Sequence, residues 1–199
     1  MNQEINAENK SKDYLSPPSP HSKATRRDVV WILGIAAFTF IFDLLTKIWA
    51  VQRLQGRPPM DIIPGVFRFA YGENTGIAFG LFQNHGGLLH LLSPVAFIVL
   101  LVILYKMFAE YSMDVWYRII FGLLIGGALG NILNRLYCGY VVDSIDVFIG
   151  TYNWPTFNIA DSALTVGEVI LIAKILLEEF ALRKKNRQLE EEIPAKDSD

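Results

Sequence analysis

Hydrophobic residues fall into four long runs along this chain, and polar segments separate the runs. The first two are Val29–Val51 and Leu88–Phe108, and the next two are Trp116–Tyr137 and about Phe157–Leu182. A helix of about 20 apolar residues crosses the roughly 30 Å hydrocarbon core of a bilayer. The pattern therefore predicts an all-α membrane protein with four transmembrane helices, of which the fourth is the most polar.

The composition agrees with that class and excludes several others. Hydrophobic residues make up 52% of the 199 residues and charged residues only 19%, whereas soluble domains carry about 25%. The formal net charge of −2 gives no reason to expect binding to nucleic acid. A single cysteine, Cys138, excludes an intramolecular disulfide, and the three histidines lack the spacing of metal ligands. We therefore expect no metal, no cofactor and no nucleic-acid partner.

Basic residues set the expected orientation in the membrane. The flanking clusters are Lys23, Arg26 and Arg27 before the first run, and Arg183, Lys184, Lys185 and Arg187 after the last. Because Lys and Arg are enriched on the cytoplasmic side, both termini are predicted to be cytoplasmic. We expect a disordered tail over residues 1–28, a membrane domain over residues 29–182 and a charged tail over residues 183–199.

The connection between the first two runs, residues 52–86, is too long to be a plain loop. Aromatic side chains alternate with other residues over Phe67–Tyr71, which is typical of a strand, and Gly72–Gly76 has the composition of a turn. Ile77–Phe82 is a second short apolar segment. This connection is predicted to form a small β-hairpin on the extracytoplasmic surface of the membrane.

Two carboxylates are predicted to meet on that same surface. Asp143 lies just past the outer end of the third run, and Asp161 lies at the outer start of the fourth. Ionisable groups at the rim of a membrane core are costly, so they indicate function. Charge alone nevertheless leaves a structural and a chemical role equally open. Asp146 is a rival for the first position, although in an extended segment it would face away from Asp143.

Helical spacing directs further polar groups to the outer half of the bundle. Asp43 and Lys47 are four residues apart on the first helix and could neutralise each other. Asn131, Asn134 and Arg135 share one face near the outer end of the third helix. A stripe of small residues on the third helix, expected to allow close helix packing, consists of Gly122, Gly126 and Gly130.

The two aspartates suggest a definite chemistry. Carboxylates that are held close together cannot both ionise easily, so the pair shares a proton. The ionised member can then remove a proton from water while the protonated member donates to the carbonyl of a scissile amide. The alternative is a non-catalytic scaffold or a small transporter subunit, in which the polar groups bind a solute or stabilise helix contacts. The absence of an internal repeat counts against a transporter.

Five ordered motifs make the chain similar to the bacterial prolipoprotein signal peptidase (signal peptidase II) family. They are Asp43-x-x-x-Lys47, the NTGIAFG of Asn74–Gly80, the GNILNR of Gly130–Arg135, the GYVVD of Gly139–Asp143 and the FNIADSA of Phe157–Ala163. The resemblance extends from about Val29 to Leu182. It implies a monomeric, four-helix aspartyl endopeptidase of the bacterial inner membrane, in contact with membrane lipid. Such an enzyme removes the signal peptide from diacylglyceryl-modified prolipoproteins by cutting just before the modified cysteine.

The resemblance also implies roles for individual residues, with the site toward the extracytoplasmic face. Asp143 and Asp161 match the catalytic dyad of the family. The residues that match its supporting positions are Asn74, Asn131, Arg135 and Asn158, which line the site, and Asp43 and Lys47, the first-helix pair. The loop over residues 52–86 would be the family's β-cradle. The segment Ile145–Pro155 would hold a short surface helix that moves over the active site.

This chain departs from the family pattern at two positions. Asn134 stands where the family usually has Asp, and Ser144 stands where an aromatic residue is common. Because neither position belongs to the dyad, we expect activity to survive. The first change is expected to alter hydrogen bonding around Arg135, and the second to alter packing beside the dyad.

Overall fold

The computed structural model describes residues 25–76, 86–110 and 113–192. The helices in these ranges are α1 (Arg26–Leu54), α2 (Gly86–Glu110), α3 (Val115–Cys138) and α4 (Ile159–Glu192). The strands are β1 (Met60–Ile63), β2 (Phe67–Asn74), β3 (Val141–Ile149) and β4 (Tyr152–Asn153). Most of the predicted N-terminal tail, residues 1–24, lies outside the described residues, as does the predicted apolar segment Ile77–Phe82.

Three of the four helices are long and apolar enough to cross a membrane. These spans are Arg26–Leu54, Leu92–Ala109 and Val115–Cys138, and they coincide with the first three hydrophobic runs. Helix α4 contains the fourth run, but Asp161, Glu168 and Lys174 interrupt its apolar stretch. It also continues to Glu192, well into the range predicted as a tail.

Helix α3 lies at the centre of the bundle because its glycines let two other helices approach closely. A Cβ atom added to Gly126 would lie 2.5 Å from the carbonyl oxygen of Ala36 on α1. One added to Gly127 would lie 2.7 Å from the carbonyl oxygen of Ala160 on α4. Real side chains do not tolerate such distances. The packing role predicted for the stripe is confirmed at Gly126, whereas Gly127 lies outside that stripe and faces α4.

The four strands form one antiparallel sheet in the order β1-β2-β3-β4. A hairpin is present, as predicted, but its turn lies between β1 and β2, where Gly65 has a φ of 74°. The predicted turn over Gly72–Gly76 is wrong in its first half, because β2 continues to Asn74. The physical reason is pairing with β3, in which Gly72 lies opposite Asp143 and Asn74 opposite Val141.

The short surface helix expected over Ile145–Pro155 is wrong, since this segment carries the end of β3 and all of β4. Ile145 lies opposite Phe69 of β2, and its N–H and C=O groups both bond to Phe157 on the other side. A helix would break these bonds and leave the half-buried backbone groups to find new partners. The β-branched and aromatic residues of the segment also favour a strand.

Candidate active site

Asp143 lies on β3 and is held by two amides. Nδ2 of Asn74 donates to one carboxylate oxygen at 3.0 Å, and Nδ2 of Asn158 donates to the other at 2.7 Å. Only 3% of the Asp143 surface is exposed. Strand pairing places Asn74 here, because β2 and β3 are neighbours in the sheet. Both oxygens of a buried carboxylate are thus fixed in direction.

Asp161 lies in the first turn of α4 and is held in a similar way. Nδ2 of Asn131, on α3, donates to one carboxylate oxygen at 2.7 Å. The backbone N–H of Asn158 donates to the other at 3.2 Å, and Oδ1 of Asn158 accepts the backbone N–H of Asp161 at 2.9 Å. This reciprocal pair is a helix-capping arrangement. Asn158 therefore contacts both aspartates: its Nδ2 bonds to Asp143, and its Oδ1 and backbone N–H bond to Asp161.

One cavity of about 1030 Å³ contains both carboxylates. Its apolar walls come from α2, α3 and α4, and residues of β2 and β3 also line it. The lining residues that the site uses are Asn74, Ser93, Asn131, Arg135, Asp143 and Asp161. The cavity is large enough for an extended peptide segment and mostly apolar, so a hydrophobic peptide fits its chemistry.

The electrostatics of the cavity keep a proton available near neutral pH. The pKa of Asp143 is raised to about 7, first by burial and next by the neighbouring charge of Asp161. Hydrogen bonds from Asn158 and Asn74 and the charge of Lys47 oppose this rise. The two carboxylates therefore interact, as the sequence predicts for a pair that shares one proton.

The predicted ion pair on the first helix is present and almost fully buried. Nζ of Lys47 lies 2.7 Å from Oδ2 of Asp43 and donates to Oδ1 of Asn131 at 3.0 Å. Oδ1 of Asp43 accepts the backbone N–H of Ala160 at 2.9 Å. The pair thus connects α1 to Asn131 on α3 and to the start of α4, next to Asp161. It holds two of the elements that carry the site.

Arg135 connects α3 to α2 and to the chain after β2. Its Nη1 donates to Oγ of Ser93 at 3.1 Å, and its Nη2 donates to the carbonyl oxygen of Gly76 at 3.0 Å. Ser93 is a contact that the sequence did not indicate, since it lies within an apolar run and in no motif. Its hydrogen bond to Arg135 forms only because α2 packs against α3.

Asp146, the rival of Asp143, has a different partner. Its Oδ2 lies 2.6 Å from Nε of Arg68 across the β2–β3 pair. The guanidinium of Arg68 in turn lies 4.6 Å from the ring centre of Phe148. The wall of the cavity, within the described residues, does not include Asp146. This agrees with the prediction that Asp146 faces away from Asp143.

The two departures from the family pattern lie beside Asp143. Oδ1 of Asn134 accepts the backbone N–H of Val142 at 2.7 Å, and its Nδ2 donates to Sγ of Cys138 at 3.5 Å. The expected change around Arg135 is therefore wrong, because the hydrogen bonds of Asn134 lead to β3 and to the end of α3. Ser144 is 4% exposed, and its backbone N–H donates to Phe157 at 3.0 Å.

Metal binding is not indicated by any group of three or more His, Cys, Asp or Glu side chains in the part of the chain that the structure describes.

Comparison with known sequences gives consistent matches. A family model described as signal peptidase (SPase) II matches residues 35–177, which include every site residue discussed above. The lipoprotein signal peptidase of Psychromonas ingrahamii is 38% identical over 141 residues, which are 70% of this chain and 81% of that protein. The lipoprotein signal peptidase of Clostridium novyi is 37% identical over 145 residues, 72% of this chain and 96% of that protein.

Solved structures with the same fold are also membrane proteins. Two structures of a bacterial membrane enzyme, obtained by the in meso method at 2.3 and 1.9 Å resolution, align with TM-scores of 0.65 and 0.64. Their sequences are 31% and 29% identical to this chain. Each alignment covers 80% of this chain, and 93% and 98% of the solved chains.

Proposed function

The chain belongs to the signal peptidase II family of aspartic-type peptidases, and we propose that Asp143 and Asp161 are the catalytic dyad with which it removes lipoprotein signal peptides. The observation that carries the proposal is the shared cavity, in which two buried carboxylates are held by amides. The substrate is a diacylglyceryl-modified prolipoprotein. Cleavage occurs just before the modified cysteine, with the apolar signal peptide in the cavity.

Peptide hydrolysis proceeds by transfer of protons through the dyad. The ionised carboxylate takes a proton from water, and the resulting hydroxide attacks the carbonyl carbon of the scissile amide. The protonated carboxyl of the other aspartate gives its proton to the carbonyl oxygen. The proton taken from water then passes to the amide nitrogen as the carbon–nitrogen bond breaks, and a hydroxyl of the tetrahedral intermediate returns its proton to the other carboxylate as the new carboxyl group forms. The two carboxyls end with one shared proton, as they began.

The supporting residues hold the two carboxylates rather than react. Asn74 and Asn158 orient Asp143, while Asn131 and the backbone of Asn158 orient Asp161. Lys47 and Asp43 fix Asn131 and the start of α4. Arg135 anchors α3 to α2, which forms the opposite wall of the cavity. Preorganised donors of this kind need no rearrangement during the reaction.

In the membrane, all four helices cross the bilayer and both termini are cytoplasmic. Large apolar side chains such as Val30 and Phe38 on α1 are 69% and 71% exposed, which suits contact with lipid. Helix α4, with 34 residues, is about 51 Å long, more than the bilayer core requires. The active site then lies toward the extracytoplasmic face, in a peptidase domain over residues 29–182, and the enzyme acts as a monomer.

Cleavage of a diacylated prolipoprotein by the purified protein in detergent tests this proposal. Wild type should release the signal peptide, whereas Asp143→Asn and Asp161→Asn should not, because asparagine keeps the size of the side chain but cannot exchange the proton. Asp146→Asn is the matched control on the same strand and should cleave at close to the wild-type rate. Full cleavage by either dyad variant would contradict the mechanism, and equal damage by Asp146→Asn would argue for a general acidic site.

A further inference from the structure

The chain makes a sharp reversal immediately before Asp143. Helix α3 ends at Cys138, and Gly139 then takes a left-handed conformation with a φ of 88°. The N–H of Gly139 donates to the carbonyl oxygen of Arg135 at 2.9 Å. Strand β3 starts at Val141, two residues before the carboxylate that the reaction uses. A small change in this reversal would move Asp143 directly.

Asn134 spans the reversal from the helix to the strand. Its Oδ1 accepts the backbone N–H of Val142 at 2.7 Å, a short hydrogen bond to a residue that is 2% exposed. Its Nδ2 lies 3.5 Å from Sγ of Cys138, and sulfur is a weak acceptor. The oxygen of the Asn134 amide therefore makes the contact that holds the strand.

Two amides hold the same edge of β3 next to Asp143. The N–H and C=O groups of one strand residue point to the same edge. At Val142 the N–H bonds to Asn134 and the C=O lies 3.5 Å from Nδ2 of Asn158. Asn158 also contacts both Asp143 and Asp161. Asn134 is thus the member of this arrangement that connects the strand to α3.

Helix α3 carries one amide for each carboxylate. Asn131 bonds directly to Asp161, and Asn134, three residues later, bonds to the backbone beside Asp143. We propose that Asn134 is a positioning residue that, through its side-chain oxygen, fixes β3 relative to α3 and so sets the separation of the two catalytic carboxylates. This inference rests on the proposed catalytic role of Asp143 and Asp161. The position requires an acceptor only, so an aspartate can fill it equally well.

The positioning role of Asn134 is tested by comparing a substitution that removes the acceptor oxygen with one that keeps it. Asn134→Leu has similar size and no acceptor, and we expect kcat to fall about 10- to 100-fold, as small displacements of a catalytic group do. KM should stay within about twofold, since the cavity wall is unchanged. Asn134→Asp keeps the oxygen and should restore kcat to within about threefold of wild type. Cys138→Ala removes the sulfur partner alone and should behave as wild type.

The same assay on a diacylated prolipoprotein, with thermal unfolding measured for each variant, decides the outcome. A wild-type kcat for Asn134→Leu, or equal loss in Asn134→Asp and Asn134→Leu, would overturn the inference. If the leucine variant does not fold, Asn134→Ser replaces it, because its hydroxyl is too short to reach Val142, and the same loss of kcat is expected. Asp143→Asn is measured in parallel. If that variant is inactive while Asn134→Leu is normal, only this inference fails; if that variant is active, the proposed dyad fails.

Discussion

Polar clusters at the two ends of α3 are built on different principles. We name them for the proposed orientation in the membrane, and the outer cluster contains the two carboxylates of the cavity and the amides that hold them. The inner cluster, at the other end of the helix, consists of Asp28, Asp114, Tyr117, Arg118, Lys174 and Glu178. Both clusters place charged groups between packed helices, and both connect α3 to α1 and α4.

In the inner cluster each carboxylate has a cation beside it. Nε of Arg118 lies 2.7 Å from Asp28, and Nζ of Lys174 lies 2.6 Å from Asp114 and 2.9 Å from Glu178. Within the described residues, the wall of the cavity includes none of the inner cluster. These ion pairs connect α3 to α1 and α4, so we expect the inner cluster to contribute to stability.

In the outer cluster the two central carboxylates are held by amides instead. Of the two nearby cations, Lys47 is already 2.7 Å from Asp43, and Arg135 donates to Ser93 and to the carbonyl oxygen of Gly76. Asp143 therefore remains next to Asp161 without full compensation, and its pKa rises to about 7 through burial and through that neighbour. On the proposed mechanism, the type of partner separates the two roles: cations make a carboxylate structural, whereas amides orient it and leave it able to exchange a proton.

The largest difference between the clusters is expected when one carboxylate of each is neutralised in a separate variant. Asp161→Asn should lower kcat by about 10³-fold or more, because it removes a general acid–base group. Asp114→Asn should leave kcat nearly unchanged, since asparagine also caps a helix well and the residue lies far from the cavity. Single-turnover cleavage of a diacylated prolipoprotein measures both. A large loss in Asp114→Asn would show that the inner cluster is coupled to catalysis.

The pH dependence of cleavage should follow the outer cluster alone. The raised pKa of Asp143 means that the pair keeps its shared proton below about pH 7 and loses it above. With both carboxylates ionised no acid remains, so kcat should fall about tenfold per pH unit above that value. Initial rates at saturating substrate between pH 6 and 9 test this. A rate that rises through this range would mean that ionisation of both aspartates is required.

The next largest loss of kcat is expected from a substitution at Gly130, which lies in close contact with Asp43. A Cβ atom added to Gly130 would overlap Oδ2 of Asp43, the residue that holds Ala160 at the start of α4. Gly130→Ala should therefore displace Asp161 and lower kcat about tenfold.

The matched control for this substitution is Gly34→Ala on α1, where nothing lies within 4 Å of the added atom. It should leave kcat unchanged and could raise stability by up to about 1 kcal/mol, because alanine is the better helix former. Equal activity of the two variants would mean that the contact of Gly130 with Asp43 does not position the site.

The outer cluster was largely predictable from the sequence, and the reason is physical. Hydropathy and the distribution of basic residues placed Asp143 and Asp161 on one face, and spacing of four predicted the Asp43–Lys47 pair. The strands were harder to predict from the sequence, because β3 is defined by partners in other segments of the chain. Ile145 pairs with Phe69 on one side and Phe157 on the other. The β-branched and aromatic residues of the segment favour a strand, but local composition does not identify such partners.

Two further features could not be predicted for related reasons. Helix α4 continues past the fourth run, and an ion pair one turn apart between Glu179 and Arg183 adds a small amount of support at that point. Hydropathy reports only transfer into lipid, and so it marked this segment as a tail. The bond from Asn134 to Val142 depends on a left-handed Gly139, a backbone conformation that motif spacing does not reveal.

The smallest effect is expected from the inner cluster, and it should appear in stability alone. Arg118→Met removes the cation beside Asp28, which is 4% exposed, so unfolding should become easier by about 1–2 kcal/mol. Lys174→Met should cost less, about 0.5 kcal/mol, because its partner Asp114 has 41% of its side chain exposed to solvent. Thermal unfolding in detergent gives both values. For each variant kcat measured well below its unfolding temperature should equal that of wild type, and a reduced kcat in a fully folded variant would remove the distinction between the two clusters.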